Sequence, residues 1–179
     1  MILQEVAFYT TTAYGLLRER LTGLERYSRI TPYLILGALP LRSQWAALER
    51  KENITHVVSL LEPFEVKSFV LGPAEAVSRG LKHLSLPVRD FFASPSVEQV
   101  NAGIHFIDSC RRSGGTVYVH CKAGRTRSAL LAACYLMAHE HLDAHSAWRF
   151  IKQKRPFVLL NSSQEAFLAQ YEQSISERH

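Results

Sequence analysis

A β-branched strand that leads through a short basic loop directly into an apolar helix constrains this fold more than any other feature of the chain. The strand is Thr116–Cys121, Thr-Val-Tyr-Val-His-Cys, and the helix is predicted to begin at Arg127. A second segment, Ile54–Leu61, is equally rich in β-branched residues. Strands of this composition are typical of a sheet that is covered on both faces. The pattern therefore predicts an α/β fold.

The remaining segments alternate between the two kinds of element, which favours a mostly parallel sheet. At 179 residues and with no shift in composition, the chain is predicted to form a single domain. The pattern predicts a short, twisted, mostly parallel sheet flanked by helices. The predicted strands are Tyr33–Gly37, Ile54–Leu61, Leu81–Val88 and Thr116–Cys121, and the predicted helices are Ser43–Lys51, Glu65–Leu71, Val97–Arg112, Arg127–His139, Ala144–Lys154 and Ser163–Ser176.

The composition limits the class of protein and its partners. Hydrophobic residues make up 47% of the chain and charged residues 21%, which excludes a disordered or fibrous protein. The net charge of +5 favours anionic substrates or surfaces. Nucleic acid is not an expected partner, because the basic residues are dispersed rather than clustered in a stripe. Three cysteines in no metal-binding spacing indicate a reducing compartment.

The loop between the strand and the apolar helix carries the chemistry. Cys121 ends the strand, Arg127 follows six positions later, and Lys122, Ala123, Gly124, Arg125 and Thr126 lie between them. Backbone N–H groups of such a loop, with a helix N-terminus behind them, bind a phosphate dianion. The same positive field lowers the pKa of a cysteine and so maintains a thiolate. Arg127 can offer its planar guanidinium to two phosphate oxygens, so the pattern predicts a cysteinyl-phosphate mechanism that needs no metal or cofactor.

The motif His120-Cys121-x5-Arg127-Ser128 resembles the signature of the cysteine-dependent protein tyrosine and dual-specificity phosphatases. The resemblance implies a single-domain, dual-specificity-phosphatase-like α/β fold. It implies that Cys121 is the nucleophile and that Arg127 binds the phosphate and the transition state. It also implies that His120 tunes the thiolate and that Ser128 helps the thiolate to depart.

The family places its general acid in a mobile loop upstream of the cysteine. The chain has three aspartates, and Asp108 and Asp143 fall within or at the start of predicted helices. Asp90 instead follows a predicted strand, 31 residues before Cys121, and is the predicted acid. A turn residue or a helix cap is the alternative interpretation of this aspartate.

Further segments resemble the mitochondrial PTP-like phosphatidylglycerophosphate phosphatases. They include Leu34–Leu41, the basic loop Cys-Lys-Ala-Gly-Arg, and Glu62-Pro-Phe-Glu65, where two of the glutamates of the family's Glu-Glu-aromatic-Glu loop are retained. The resemblance implies that Glu62 and Glu65 brace the basic loop; solvated loop acids are the alternative. It implies a phospholipid substrate, phosphatidylglycerophosphate, a product used for cardiolipin synthesis, and the matrix side of the mitochondrial inner membrane. The basic residues of the loop also suit a phosphoinositide, and a dual-specificity protein phosphatase or a non-catalytic phosphate-binding membrane module are the other candidates.

The first 26 residues stand apart from the predicted phosphatase domain, residues 27–179. Aromatic residues beside arginines favour a segment that lies in a lipid headgroup layer, and a first helix packed on the domain is the alternative. The apolar part of this segment is too short to span a membrane, which takes about 20 residues. We expect a monomer at a peripheral membrane surface.

Overall fold

Within the described part of the chain, five strands form one sheet whose order is β1-β2-β5-β3-β4. The computed structural model describes residues 2–23, 25–90 and 93–177. The strands are β1 (Tyr27–Thr31), β2 (Leu34–Gly37), β3 (Ile54–Ser59), β4 (Lys82–Ser85) and β5 (Thr116–His120). The first strand is antiparallel to the second, and the other neighbours are parallel. The sequence-based prediction of a mostly parallel sheet is confirmed.

Helices cover both faces of this sheet. Within the described residues they are α1 (Ile2–Thr22), α2 (Arg42–Glu52), α3 (Pro73–Ser78), α4 (Val97–Arg112), α5 (Arg127–Glu140), α6 (Ala144–Lys154) and α7 (Ser162–Ser176), with a 3-10 turn at Pro63–Glu65. Side chains of β5 alternate between the faces: Val117 and Val119 join the larger core under α4 to α7, and Tyr118 packs with Trp45 of α2 on the other face.

The helix α5 lies at the centre of the larger core. It contacts β2 and β5 of the sheet and the neighbouring helices α4, α6 and α7. Every residue from 129 to 137 is buried. A helix that is apolar on all sides needs such an environment, which explains the composition of the segment.

Side-chain caps begin three of the helices. Ser96 accepts a hydrogen bond from the N–H of Gln99 at the start of α4, Asp143 accepts one from Ser146 at α6, and Asn161 accepts one from Gln164 at α7. Each cap satisfies a backbone N–H that has no partner within its helix. These helix starts could be predicted from the sequence.

Three regions differ from the sequence-based prediction. The predicted helix Glu65–Leu71 is wrong: the chain forms the 3-10 turn and then a bridge between Val70 and Leu41. Val66, Phe69 and Val70 pack instead around Phe8 of α1, a partner distant in the sequence. The edge strand β1 and the short helix α3 are additional elements that the periodicity did not indicate.

The N-terminal helix α1 is held against the domain on one side only. Phe8 is 2% exposed, and Glu5 forms an ion pair with Lys67 at 2.7 Å. Apolar side chains on the opposite side are exposed, among them Val6, Tyr14, Leu17 and Leu21. None of the described helices is long and apolar enough to cross a membrane.

Candidate active site

The loop of residues 121–126 lies at the carboxyl end of the parallel strands, between β5 and α5. Ligands of open α/β sheets bind at this edge. Gly124 has φ +63°, and a Cβ at this position would lie 2.3 Å from the carbonyl carbon of Gly37. Glycine is therefore required both for the backbone conformation and for the close approach of β2. Two backbone N–H groups of this region, those of Arg125 and Ser128, point to a common centre.

The sulfur of Cys121 is that centre. The hydroxyl of Ser128 donates a hydrogen bond to it at 3.2 Å, and the backbone N–H groups of Ser128 and Arg125 also point to it. Burial raises the pKa of the thiol, but the charge of Arg127 and these hydrogen bonds outweigh it, so the pKa lies below its usual value. The geometry thus favours a thiolate.

A thiolate at Cys121 predicts an unusual pH dependence of alkylation. The rate of modification by iodoacetamide should reach half its maximum at a pH below about 8.5, the value for a free thiol, and should fall as the pH drops further and the sulfur is protonated. Burial raises the pKa of Cys110 and of Cys134, so peptide mapping should find both unmodified at neutral pH. A midpoint at or above that of a free thiol contradicts the assignment, as does a Cys121 that is never modified in the folded protein.

The guanidinium of Arg127 is buried, and hydrogen bonds hold it mainly through its Nη1–Nη2 edge. Its Nη1 donates to the carbonyl oxygens of Leu60 and Val88, at 3.2 and 3.0 Å, and to Glu65 Oε2 at 2.7 Å. Its Nη2 donates to Glu65 Oε1 at 3.1 Å and contacts Asp90 Oδ1 at 2.9 Å. Its Nε has no hydrogen-bond partner among the described residues. The Nε–Nη2 edge is thus the one placed to receive two phosphate oxygens.

The two predicted bracing glutamates have different positions. Glu65 is buried and binds Arg127 with both carboxylate oxygens. Glu62 instead forms a capping box with Glu65: its side chain accepts from the N–H of Glu65, and its own N–H donates back to Glu65 Oε2 at 2.9 Å. Glu62 therefore orients the turn that presents Glu65, and Glu65 orients the arginine.

Removing the charge of Glu65 should destabilise the fold markedly. In Glu65→Gln the buried Arg127 loses its carboxylate partner, and breaking a buried ion pair in this way costs about 3–5 kcal/mol. Glu75→Gln is a matched control, because Glu75 pairs with Arg42 at 2.7 Å on the surface, where such a pair contributes about 0–1 kcal/mol. Urea unfolding measures both; equal costs for the two variants would show that the Glu65–Arg127 pair does not brace the site.

Asp90 is brought into the site by ion pairs with two residues of the basic loop. It pairs with Arg127 through one carboxylate oxygen and with Lys122 through the other. The aspartate predicted from its position in the sequence therefore contacts the loop. Asp108 and Asp143 do not: Asp108 pairs with His139, and Asp143 caps α6.

His120 is completely buried at the end of β5. Its Nδ1 lies 3.4 Å from the carbonyl oxygen of Cys121. Burial, with the nearby His83 and Arg127, lowers the pKa of His120 to about 3. The imidazole is therefore neutral, so any influence on the thiolate comes from its dipole and its contact with the backbone rather than from a positive charge.

Arg155 is a residue of the site that sequence reasoning missed. It is buried, and its Nε donates to the carbonyl oxygen of Gly124 at 2.7 Å. Its Nη2 donates to the backbone carbonyl oxygens of Ala123 at 3.4 Å and of Arg26 at 3.1 Å, so it ties the loop to the segment before β1. A basic residue at the end of a helix is common, and nothing in the sequence distinguishes this one.

A cavity of about 310 Å³ opens beside the loop. Its lining includes four cationic side chains and two carboxylates. The cations are Arg26, Lys122, Arg125 and Arg155, and the carboxylates are Glu25 and Asp90. Ala123 and Thr126 complete the part formed by the loop, and residues of α1 form another part. The positive excess attracts an anion to the mouth of the site.

Comparison with known proteins shows the family of the chain. Residues 34–174 match the dual specificity phosphatase catalytic domain, which is most of the chain. The chain belongs to the dual specificity phosphatase family. It is therefore a cysteine-based phosphatase, a phosphoric monoester hydrolase.

Two curated members of this phosphatase family are similar over almost the whole chain. Phosphatidylglycerophosphate phosphatase PTPMT2 of Arabidopsis thaliana is 34% identical, over 93% of this chain and 72% of that protein. The human phosphatidylglycerophosphatase and protein-tyrosine phosphatase 1 is 33% identical, over 98% of this chain and 89% of that protein. Among solved structures, PTPMT1 in complex with PI(5)P superposes with a TM-score of 0.82 and 30% identity, covering 86% of this chain and 99% of that one.

Proposed function

We propose that this phosphatase removes the terminal phosphate of phosphatidylglycerophosphate and leaves phosphatidylglycerol, a precursor of cardiolipin. The cationic cavity beside the loop that follows Cys121 is the observation that carries the proposal, because it suits a substrate with negative charge beyond the scissile phosphate. The names of the relatives that share almost the whole chain support the same substrate.

The reaction begins with attack of the Cys121 thiolate on phosphorus. The S–P bond forms as the P–O bond to the lipid breaks, and Asp90 gives its proton to the departing alkoxide oxygen. The Nε–Nη2 edge of Arg127 and the loop N–H groups of residues 122–127 hold the phosphoryl oxygens. Because Asp90 contacts the same Nη2, the dianionic phosphate replaces its carboxylate there, and the released carboxylate takes up from solvent the proton that it gives to the leaving oxygen.

Hydrolysis of the cysteinyl phosphate completes the cycle. Asp90, now ionised, takes a proton from the attacking water, and the P–S bond breaks as inorganic phosphate leaves. The Ser128 hydroxyl, which donates to the sulfur at 3.2 Å, stabilises the departing thiolate. His120 holds the backbone of Cys121 in place as a neutral imidazole.

The exposed side of α1 supports a location of the enzyme at an anionic lipid surface. Val6, Leu17 and Leu21 are each more than half exposed and follow one another at helical spacing on the side opposite Phe8. A helix of this kind lies in the headgroup layer with its apolar side in the lipid. The enzyme thus acts as a peripheral membrane protein, with the matrix side of the mitochondrial inner membrane as the site of action.

A direct comparison of initial rates tests the substrate. The enzyme should hydrolyse phosphatidylglycerophosphate in vesicles faster than a phosphotyrosine or phosphothreonine peptide and faster than phosphoinositide vesicles of equal surface charge. Equal or faster turnover of the peptides would overturn the proposal in favour of a protein phosphatase. Faster turnover of phosphoinositides would support the second candidate, which the PI(5)P complex of the solved relative favours.

A further inference from the structure

The helix α1 forms one wall of the cavity that adjoins the catalytic loop. Thr11, Thr12, Tyr14 and Gly15 line the same space as Lys122 and Arg125 of the loop. The helix is fixed in this place: Phe8 is buried, the ammonium group of Lys122 lies 6.0 Å from the centre of its ring, and Glu5 pairs with Lys67. The helix α1 is therefore more than a membrane anchor, because it forms part of the cavity beside the catalytic loop.

Thr12 brings an unused hydroxyl group to this wall. The two preceding threonines donate to helix carbonyl oxygens, Thr10 to Val6 at 2.8 Å and Thr11 to Phe8 at 3.3 Å. The Thr12 Oγ1 is shielded from solvent and has no hydrogen-bond partner among the described residues. A buried hydroxyl without a partner is costly, and a ligand that supplies one recovers that cost.

Gly15 leaves the wall open one turn further along. A Cβ built at this position meets no heavy atom within 4 Å. Glycine within a helix costs about 1 kcal/mol relative to alanine, so its presence here runs against the stability of the helix. The missing side chain preserves space in the cavity.

We propose that the wall formed by Thr12 and Gly15, with Arg26 and Arg125 opposite, is a second subsite that binds the glycerol and phosphodiester part of the headgroup while Arg127 holds the terminal phosphate. This rests on the proposed function and deepens it. The cations neutralise the second anionic phosphate, and the Thr12 hydroxyl bonds to the glycerol hydroxyl or to a phosphate oxygen. The cavity volume of about 310 Å³ is at the lower end of the range for small-molecule pockets, which suits a headgroup of this size.

Water-soluble substrates test this subsite without any contribution from membrane binding. Three are compared by kcat/KM: p-nitrophenyl phosphate, glycerol 3-phosphate, and glycerophosphoglycerophosphate, the deacylated headgroup with both phosphates. The wild type should prefer glycerophosphoglycerophosphate over glycerol 3-phosphate. Gly15→Leu, which fills the space with a better helix former, should reduce that preference by about 10-fold or more, and Thr12→Val should reduce it by about 5-fold, the worth of one hydrogen bond.

Two controls separate a subsite from a structural effect. Turnover of p-nitrophenyl phosphate should stay the same in both variants, and Ala13→Leu, on the exposed side of the same helix, should change none of the three rates. An unchanged preference in Gly15→Leu overturns the subsite, as does a wild type that shows no preference for the second phosphate. Failure of the proposed function is a different result, namely phosphopeptides hydrolysed as fast as phosphatidylglycerophosphate vesicles.

Discussion

Replacing Cys121 with serine is expected to lower the rate of phosphate release by at least about 10⁴-fold, since loss of a covalent nucleophile removes most of the chemical acceleration. The sulfur is the point on which the Ser128 hydroxyl and two loop N–H groups converge. A serine hydroxyl is not ionised under the same field and attacks phosphorus poorly. Rates of phosphate release from phosphatidylglycerophosphate vesicles measure the effect.

Binding should survive this substitution. Arg127 keeps its contacts with Glu65, and Arg155 still holds the loop through the carbonyl oxygen of Gly124. Cys121→Ser should therefore stay bound to substrate vesicles, from which the wild type dissociates once it has converted the substrate to product. Equal thermal unfolding of the two proteins controls for the fold. A variant that turns over within about 10-fold of the wild type would exclude attack by Cys121.

Replacing Asp90 with asparagine is expected to lower kcat for the lipid by about 10²–10⁴-fold, the usual contribution of a positioned general acid. The amide has the same shape but no proton to give to an alkoxide leaving group. Hydrolysis of p-nitrophenyl phosphate should fall much less, because its leaving group departs without protonation. The measurement compares the loss of kcat on the lipid with the loss of kcat on p-nitrophenyl phosphate. A larger loss on the lipid distinguishes proton donation from a loss of the ion pairs that Asp90 makes with Arg127 and Lys122.

Asp143→Asn is the matched control for this substitution. Asp143 caps α6, and asparagine caps a helix as well as aspartate does, so both activity and stability should be unchanged. An equal loss of activity on the lipid and on the aryl ester in Asp90→Asn would assign Asp90 to the binding of Lys122 and Arg127 rather than to proton transfer.

The part of the site that is local in the chain could be predicted from the sequence. The loop from Cys121 to Arg127 joins a strand to a helix, and the composition of each element indicates its type. The positions of the thiol and of the guanidinium can therefore be predicted. The caps at Ser96, Asp143 and Asn161 are equally local. Asp90 required the resemblance to the phosphatases, because position in a loop alone leaves a turn residue as an alternative.

The part of the site that depends on distant contacts could not be predicted from local patterns. The resemblance to the phosphatases implies that Glu65 braces the loop, but the local periodicity predicts a helix there. In the structure its carboxylate binds Arg127, which lies 62 residues away, and the chain forms a 3-10 turn. Arg155 reaches Gly124 across 31 residues. The environment of α1 could not be predicted either, because its mixed composition fits both a lipid-bound helix and a packed helix. The structure shows that one side is packed and the other is exposed.

Trapping the covalent intermediate tests the central claim most directly. The enzyme is mixed with phosphatidylglycerophosphate that carries a radiolabelled terminal phosphate, quenched during turnover, and digested under conditions that preserve thiol phosphates. The label should be found on the peptide that contains Cys121, and a chase with unlabelled substrate should remove it at least as fast as kcat. A label on any other residue, or turnover with no label on the protein at all, would contradict nucleophilic attack by the Cys121 thiolate.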